Sequence, residues 1–245
     1  MSYTLFISDL HLDTPRPEHV RALEQLLSEH AGKADALYVL GDLFETWIGD
    51  DDDAEFNVSV ERIFRRFSDA GGKLYFMHGN RDFMLGNEFA ARCGGELIAE
   101  NTVVDLYGRP TLLLHGDSLC TLDLKYQQFR SMVRAETWQR DMLAKTLQER
   151  RMIAQFLRMQ SQQGNANKAD NIMDVTPEEV VKALDDAGVR EMIHGHTHRP
   201  AVHDVDTANG PGKRYVLGDW GDSLWLIRAN SEGNQLLKSV IGVTG

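Results

Sequence analysis

The sequence has few cysteines, no long apolar run and little positive charge, and each shortage excludes a class of protein. Cys93 and Cys120 are the only cysteines among 245 residues, too few for a disulfide framework, which favours a reduced, cytoplasmic setting. No apolar run approaches the ~18 residues needed to cross a bilayer. The opening MSYTLFISDLHL has no basic leader, so we expect no signal peptide. The formal net charge of -11 disfavours a nucleic-acid partner, which requires a basic surface.

Short apolar runs alternate with amphipathic segments along most of the chain. The runs are rich in Val, Ile, Tyr and Phe, as buried strands are, and they lie at residues 4–7, 36–40, 74–77, 111–114, 191–193, 215–217 and 224–227. Helical spacing predicts helices around 20–27 and 60–67. A third helix is predicted from Thr176, as N-cap, to Gly188. This alternation predicts an α/β fold in a single domain, 1–245. Residues 206–213 are interpreted as a plain turn.

Residues 124–168 differ from the rest because they carry no strand pattern and place apolar residues at helical spacing. Nine basic and three acidic residues make this segment +6 within a chain of -11. Such asymmetry indicates an insertion over residues 123–170, formed of two or three helices, that caps the site and meets an anionic ligand. A solvated helical hairpin with incidental charge is the alternative interpretation.

Polar side chains follow five of the predicted strands, at the points where the strands end. Because strand ends meet at a common crevice, we expect these side chains to converge. Asp9 and His11 are two positions apart, as are His196 and His198. In an extended strand this i, i+2 spacing points both side chains of a pair to the same side. The residues are Asp9 and His11 in SDLHL, Asp42 in LGDLFE, Asn80 in HGNRD, His115 in LLLHGD, and His196 and His198 in HGHTH. Taken singly, each is more typical of a helix cap or a core residue. Together, with Gly beside four of them, they predict a metal site that suits Mn²⁺, Fe or Zn²⁺.

The blocks DLH, GDLFE, GNRD, HGD and GHTH resemble, in the same order, those of the calcineurin-like metallophosphoesterases. The resemblance implies a sandwich of two mixed β-sheets flanked by helices. It implies that one ion is held by Asp9, His11, Asp42 and His198. The other would be held by Asp42, Asn80, His115 and His196, with Asp42 bridging the two. Two such ions activate water for attack on phosphorus, so no side-chain nucleophile is needed. Ser118 and Cys120 lie nearby without an activating base and are interpreted as packing residues.

Arg81 stands where many members of that family carry a histidine after the Gly-Asn pair. Arginine does not release a proton at neutral pH, but its guanidinium forks onto phosphate oxygens. This favours a pyrophosphate substrate, since a departing phosphate with a pKa of ~6 needs little protonation. An ion pair of Arg81 with Asp82 or with an acidic surface is the alternative.

Longer stretches resemble the UDP-2,3-diacylglucosamine hydrolases of Gram-negative bacteria. They are GDLFETWIGDDD, HGNRDFMLG, LYGRPTLLLHGDSLCTLDLKYQQFR, NIMDV and HGHTHRPAVH. The resemblance implies hydrolysis of the pyrophosphate of UDP-2,3-diacylglucosamine, with two Mn²⁺ ions and water attacking the α phosphorus. The products would be UMP and 2,3-diacylglucosamine 1-phosphate (lipid X), in lipid A biosynthesis. Asn80, Arg81, His115 and His196 would be catalytic. The implied substrate contacts are Asn80, Arg81, Asp123, Ser161, Asn165, Lys168 and His196. Trp47, Tyr126 and Phe129 would line the same pocket, if they are not simply core.

The resemblance also implies a peripheral protein at the cytoplasmic face of the inner membrane, with no obligate protein partner. Residues 135–151 depart from the apolar cap of that family because they are markedly polar. We therefore expect membrane attachment to be weak or mainly electrostatic. A generic cytosolic phosphodiesterase or nucleotide phosphatase is the main alternative function. A non-catalytic scaffold is disfavoured because all seven ligand positions are filled.

Overall fold

The computed structural model describes residues 2–165 and 174–241, without the side chains of residues 162–165. The strands in this part of the chain are β1 (Thr4–Ile7), β2 (Ala36–Leu40), β3 (Lys73–Met77), β4 (Glu96–Leu97), β5 (Thr102–Asp105), β6 (Pro110–Leu113), β7 (Glu191–His194), β8 (Ala201–Thr207), β9 (Gly210–Val216), β10 (Ser223–Asn230) and β11 (Gly233–Val240). The α-helices are α1 (Pro17–His30), α2 (Glu55–Asp69), α3 (Asn87–Cys93), α4 (Leu124–Val133), α5 (Glu136–Leu143), α6 (Leu147–Asn165) and α7 (Pro177–Ala187).

The strands form two mixed sheets. The first has six strands in the order β11-β10-β1-β2-β3-β4, parallel from β1 to β4 and antiparallel through β10 and β11. The second has five strands in the order β5-β6-β7-β9-β8, with β6, β7 and β9 parallel and the outer strands antiparallel. The expected α/β sandwich of two mixed sheets is confirmed.

The core is divided into three layers by the two sheets. Alternate residues of β1 point to opposite faces, so Leu5 and Ile7 pack with α1, α2 and α3, whereas Phe6 packs between the sheets against Ile193. A third cluster joins the second sheet to α7 through Leu112 and Leu184. The first strand is therefore buried on both faces, as its unbroken apolar run indicated.

The bounds of the buried strands β1 and β2 match the sequence prediction, whereas the more exposed strands were missed. Strands β5, β8 and β11 carry polar residues on solvent-facing sides. The prediction of a plain turn at 206–213 is wrong. Strands β8 and β9 pair directly, Thr207 opposite Gly210, so that only Ala208 and Asn209 turn the chain. The prediction failed because it was based on apolar runs, whereas β8 and β9 have exposed polar faces.

Helix α7 begins where the sequence predicted, but its cap differs. Thr176 occupies the N-cap position without a side-chain capping hydrogen bond. Its hydroxyl instead lies 2.8 Å from that of Thr121. This contact ties the start of α7 to the segment that follows β6.

Helices α4, α5 and α6 fill the stretch that the sequence assigned to an insertion. Arg150 of α6 fixes this helical segment to the loop after β2, donating to Ile48 O at 2.8 Å and to Asp51 Oδ1 at 2.7 Å. Among the described residues, none of the helices is long and apolar enough to cross a membrane.

Candidate active site

The predicted metal ligands lie in loops just beyond the ends of β1, β2, β3, β6 and β7. Five of them have left-handed backbone: Asp9 (φ 55), His11 (φ 46), Asp42 (φ 51), His196 (φ 65) and His198 (φ 55). Such conformations are uncommon outside glycine and cluster at functional sites. The expectation that strand alternation aligns Asp9 with His11, and His196 with His198, is therefore wrong. Tight turns beyond the strands aim these side chains instead.

The first group of donors is formed by Asp9, His11 and His198, which offer atoms that all lie within 4.8 Å of one another. The Nε2 atoms of the two histidines are 3.3 Å apart, and Nε2 of His198 lies 3.4 Å from Asp9 Oδ1. Asp9 is anchored by its own environment, since Oδ2 accepts from Ser8 Oγ at 2.5 Å and from the backbone N–H of His196 at 3.0 Å.

The second group gathers around the side-chain oxygen of Asn80. This atom lies 2.7 Å from His196 Nδ1 and 3.0 Å from His115 Nε2. Asp42 stands between the two groups, with Oδ2 3.8 Å from His11 Nε2 and Oδ1 3.7 Å from His115 Nε2. One carboxylate oxygen thus faces each group, an arrangement suited to a bridging ligand.

Two glycines allow the loops to approach this closely. A Cβ on Gly79 would lie 2.1 Å from Asp42 Oδ1, and a Cβ on Gly195 would lie 2.2 Å from Asp9 Oδ2. Both contacts are far inside van der Waals distance, so a side chain at either position would displace a metal-site carboxylate.

The residues present fit a pair of divalent cations. Asp9, Asp42 and His115 are buried, and their donor atoms also lie within 4.8 Å of one another. Burial opposes a charge on His115, but Asp42 and Asp9 outweigh it and raise its pKa to about 9. The negative charge that attracts a proton there equally attracts a metal ion. Burial lowers the pKa of His196 to about 3, which leaves this imidazole neutral and able to ligate.

Arg81 projects into the cavity beside these donors, and the ion pair with Asp82 that was the alternative interpretation of this residue is absent. The carboxylate of Asp82 is instead occupied by backbone N–H groups of Gly79 and Leu43, both at 2.7 Å. Within the described residues, no ion pair involves Arg81, and its buried Nε has no hydrogen-bond partner. A guanidinium held in this way is ready to receive an anion.

The cavity extends from the metal-site donors to the helical segment and has a volume of about 1080 Å³. Its lining includes Asp123 and Ser161, and also Trp47, Tyr126 and Phe129. Asp123 additionally caps α4 by accepting the backbone N–H of Tyr126 at 3.2 Å. The side chain of Asn165 and the whole of Lys168 lie outside the described residues.

Tyr126 links the helical segment to the donor groups. Its ring stacks on that of His196 with centroids 6.0 Å apart, and its hydroxyl donates a short hydrogen bond to the buried carboxylate of Asp117. Arg130 Nε also donates to that carboxylate at 2.9 Å. Burial and Asp117 raise the pKa of Tyr126 well above its usual value, so its hydroxyl is not an acid available to a leaving group.

Sequence reasoning missed Asp82 and Asp117 as residues of the site. Both stand inside the recognised blocks GNRD and HGD, and that adjacency was the available signal. Ser118 donates to Glu100 at 3.0 Å and Cys120 is buried. Neither has a nucleophile's surroundings.

A calcineurin-like phosphoesterase family model matches residues 3–200, which include all seven donors. The chain belongs to that family. The chemistry of that family is metal-dependent and binuclear, and the donor groups of this phosphoesterase form a cluster that could hold metal ions. The family resemblance of the five sequence blocks is confirmed.

Curated relatives of this phosphoesterase match along nearly the whole chain. It is 52% identical to the UDP-2,3-diacylglucosamine hydrolase of Cellvibrio japonicus, covering 94% of this chain and 96% of that one. It is 48% identical to that of Marinobacter nauticus, with 93% of both chains covered. It is 45% identical to that of Pseudomonas aeruginosa, covering 94% and 96%. A solved archaeal phosphodiesterase shares the fold, with a TM-score of 0.51 at 12% identity, over 97% of this chain and 99% of that one.

Proposed function

We propose that this phosphoesterase hydrolyses the pyrophosphate bond of UDP-2,3-diacylglucosamine, releasing UMP and 2,3-diacylglucosamine 1-phosphate. Two Mn²⁺ ions are the proposed cofactors, with Asp9, His11, Asp42 and His198 holding one. Asp42, Asn80, His115 and His196 hold the other. The names and near-complete coverage of the curated relatives support the substrate.

The single observation that carries the proposal is the guanidinium of Arg81, which lines the large cavity beside the metal-site donors and forms no ion pair with the described residues. This guanidinium can form bidentate hydrogen bonds with phosphate oxygens and neutralise the charge of a pyrophosphate. A pyrophosphate needs that neutralisation more than it needs an acid, because its leaving phosphate has a pKa of ~6.

The protein's own groups have distinct tasks in this scheme. Bound metal ions activate water and polarise the phosphoryl oxygens. Arg81 binds the phosphate oxygens and stabilises the charge that develops on them. His196 and Asn80 stand at the cavity side of the donor groups, within reach of the substrate, while Asp123 and Ser161 line the region for the sugar. Asn165 and Lys168 are proposed as further contacts.

The apolar part of the cavity suits the acyl chains. Trp47, Phe83, Trp138 and Met142 line it, and each acyl methylene buried among them contributes ~0.8 kcal/mol.

We propose that the outer face of the helical segment rests on the cytoplasmic face of the inner membrane. Exposed apolar side chains concentrate in this helical segment, at Met132, Leu143, Met152, Phe156 and Met159. Basic residues such as Arg140 and Lys145 favour anionic lipid. Co-sedimentation with anionic vesicles, absent with neutral ones and weakened by salt, is the expected result. No binding to either vesicle would refute this docking mode.

The deciding experiment uses purified protein with Mn²⁺, detergent-dispersed UDP-2,3-diacylglucosamine and ¹⁸O-labelled water. We expect UMP to appear and to carry the label, as attack on the uridine-side phosphorus requires. Label in the diacylglucosamine phosphate instead would contradict that site of attack. Asp42→Ala is the negative control, since it removes the bridging ligand and with it both metal affinity and turnover.

A soluble aromatic phosphodiester assayed in parallel tests the alternative of a generic phosphodiesterase. The large apolar cavity has no use in that alternative. Faster turnover of the soluble diester than of the lipid-linked nucleotide would therefore overturn the proposed substrate.

A further inference from the structure

Glu45 is an acidic residue beside the first donor group that belongs to neither ligand set. The backbone brings it there, because Leu12 and Phe44 form a parallel bridge and Glu45 N donates to Leu12 O at 3.1 Å. Its carboxylate is buried, with 8% of the residue exposed, and Oε2 lies 3.1 Å from His11 Nδ1. Glu45 therefore faces the side of the imidazole that points away from the donor group.

The two nitrogens of His11 thus have separate partners. Nε2 faces His198 Nε2 at 3.3 Å and Asp42 Oδ2 at 3.8 Å, whereas Nδ1 faces Glu45. Nδ1 and Oε2 lie within ion-pair distance without meeting hydrogen-bond geometry, and the negative charge on that side favours the tautomer that carries its proton on Nδ1 and leaves the lone pair of Nε2 free for a metal ion.

His115 offers an internal comparison. Its Nδ1 lies 2.8 Å from the backbone carbonyl of Leu40, and its Nε2 faces Asn80 and Asp42. Both histidines therefore present Nε2 to the centre and use Nδ1 for orientation. His115 relies on a neutral carbonyl for this, whereas His11 relies on a full negative charge.

The same carboxylate also reaches the helical segment. Its second oxygen, Oε1, forms an ion pair with Nη1 of Arg158 on α6. Arg16 lies 3.6 Å from Oε2 and donates to His11 O at 2.6 Å. Glu45 is accordingly shared between a metal ligand and a residue of the helix that lines the substrate cavity.

We propose that Glu45 is a positioning residue that holds His11 in its ligating orientation and connects that ligand to α6 through Arg158. The inference rests on the proposed metal centre. Arg158 neutralises part of the negative charge that the same carboxylate presents to His11, so the position of α6 and the metal affinity of the first site are coupled.

The test is a titration of metal-stripped protein with Mn²⁺, in which binding is measured by calorimetry and by electron paramagnetic resonance. Glu45→Gln should weaken one of the two Mn²⁺ sites by about 10- to 100-fold, the usual effect of losing such a partner. Glu61→Gln is the matched control. Glu61 is also 8% exposed and paired with an arginine, Arg92, at 2.8 Å. It lies in α2 away from the donors, and this variant should bind Mn²⁺ as the unmodified protein does.

Arg158→Gln probes the connection to α6. Removing the cation that offsets the charge of Glu45 should tighten Mn²⁺ binding severalfold relative to the unmodified protein. The Glu45→Gln/Arg158→Gln double variant should bind Mn²⁺ no more tightly than Glu45→Gln alone. Arg158 has a side chain that is 32% exposed, so this variant keeps the test decisive even where Glu45→Gln does not fold.

The outcomes separate the inference from the function beneath it. No Mn²⁺ uptake by the unmodified protein would remove the metal centre and the inference together. Two bound Mn²⁺ ions in the unmodified protein, with the same affinity in Glu45→Gln, would overturn the role of Glu45 alone. An unchanged affinity in Arg158→Gln would refute the connection to α6.

Discussion

Asp82 accepts the backbone N–H of Leu43 at 2.7 Å, and this bond joins the loop after β3 to the loop after β2. Its other oxygen accepts from Gly79 at 2.7 Å and from Asp42 at 3.3 Å. A single buried carboxylate therefore holds three N–H groups of the two loops that present Asp42 and Asn80. The positive φ of Asp42 is stabilised in this way.

Asp82→Asn should lower both the stability and the metal affinity of the protein. An amide cannot accept all three bonds, and a buried donor left unpaired costs about 1–3 kcal/mol. Urea unfolding of the metal-stripped protein measures the first effect, and Mn²⁺ titration measures the second. Asp69→Asn is the control, because Asp69 has a side chain that is 59% exposed and, within the described part of the chain, its ion pair is with Arg65 on the same helix. Equal stability of the two variants would show that Asp82 does not organise the loops.

Arg81→Ala should leave both metal ions bound while kcat falls by ~10²-fold or more, the scale for losing one electrostatic stabiliser. Arg81→Lys should recover only part of the loss, because a lysine cannot fork onto two phosphate oxygens. Metal content by mass spectrometry and steady-state kinetics check these expectations. Full activity of Arg81→Ala would refute its role.

Both native thiols should resist modification. Cys93 and Cys120 are buried, and burial raises the pKa of Cys120 to about 12 and that of Cys93 as well. At pH 8 a colorimetric thiol reagent should react with neither in the folded protein and with both in urea. Ser131→Cys, on the exposed face of α4, supplies a thiol that reacts at once. Rapid reaction of a native thiol without denaturant would contradict the described packing.

The pair formed by Asp51 and Arg150 should make stability depend on pH in a defined direction. The hydrogen bonds from Arg150 hold the pKa of Asp51 below its ordinary value. Stabilisation by this pair is therefore complete above the unfolded-state pKa of about 3.9 and is lost as pH falls through the lower folded-state pKa.

Asp51→Asn tests this dependence. It should destabilise the protein at pH 7, and the difference from the unmodified protein should vanish in strong acid. Asp53→Asn changes an exposed neighbouring carboxylate and should show no such trend. Urea unfolding across this pH range supplies the measurement. A difference between Asp51→Asn and the unmodified protein that stays constant down to pH 2 would exclude the ion pair as its source.

Strands buried on both faces could be predicted from the sequence, whereas strands with one solvent-exposed face could not. Residues 4–7 and 36–40 are unbroken apolar runs because both sides of β1 and β2 meet core. Strand β8 reads AVHDVDT, and its polar residues face outward at the edge of the second sheet. Its pairing with β9 depends on long-range register that no local pattern records.

The convergence of the candidate donors could be predicted, but their geometry could not. Side-chain chemistry and the positions of strand ends were sufficient to select Asp9, Asp42 and His115. The left-handed turns at Asp9 and Asp42 were hidden because aspartate, although enriched at positive φ among non-glycine residues, adopts such backbone at only a small fraction of its positions. Glu45 was equally hidden, since its proximity to His11 arises from the bridge between Leu12 and Phe44.

The place of β10 next to β1 has a consequence for how the protein is made. Asp9 accepts the backbone N–H of His196, which lies 187 positions later, and β1 takes one of its two neighbours from the last hairpin. A nascent chain leaving the ribosome can form β1, β2 and β3 early, with half of the first sheet's partners still unsynthesised. The donor groups are completed only when translation has passed His198, so the proposed pair of metal ions cannot be bound by the full donor set before that point.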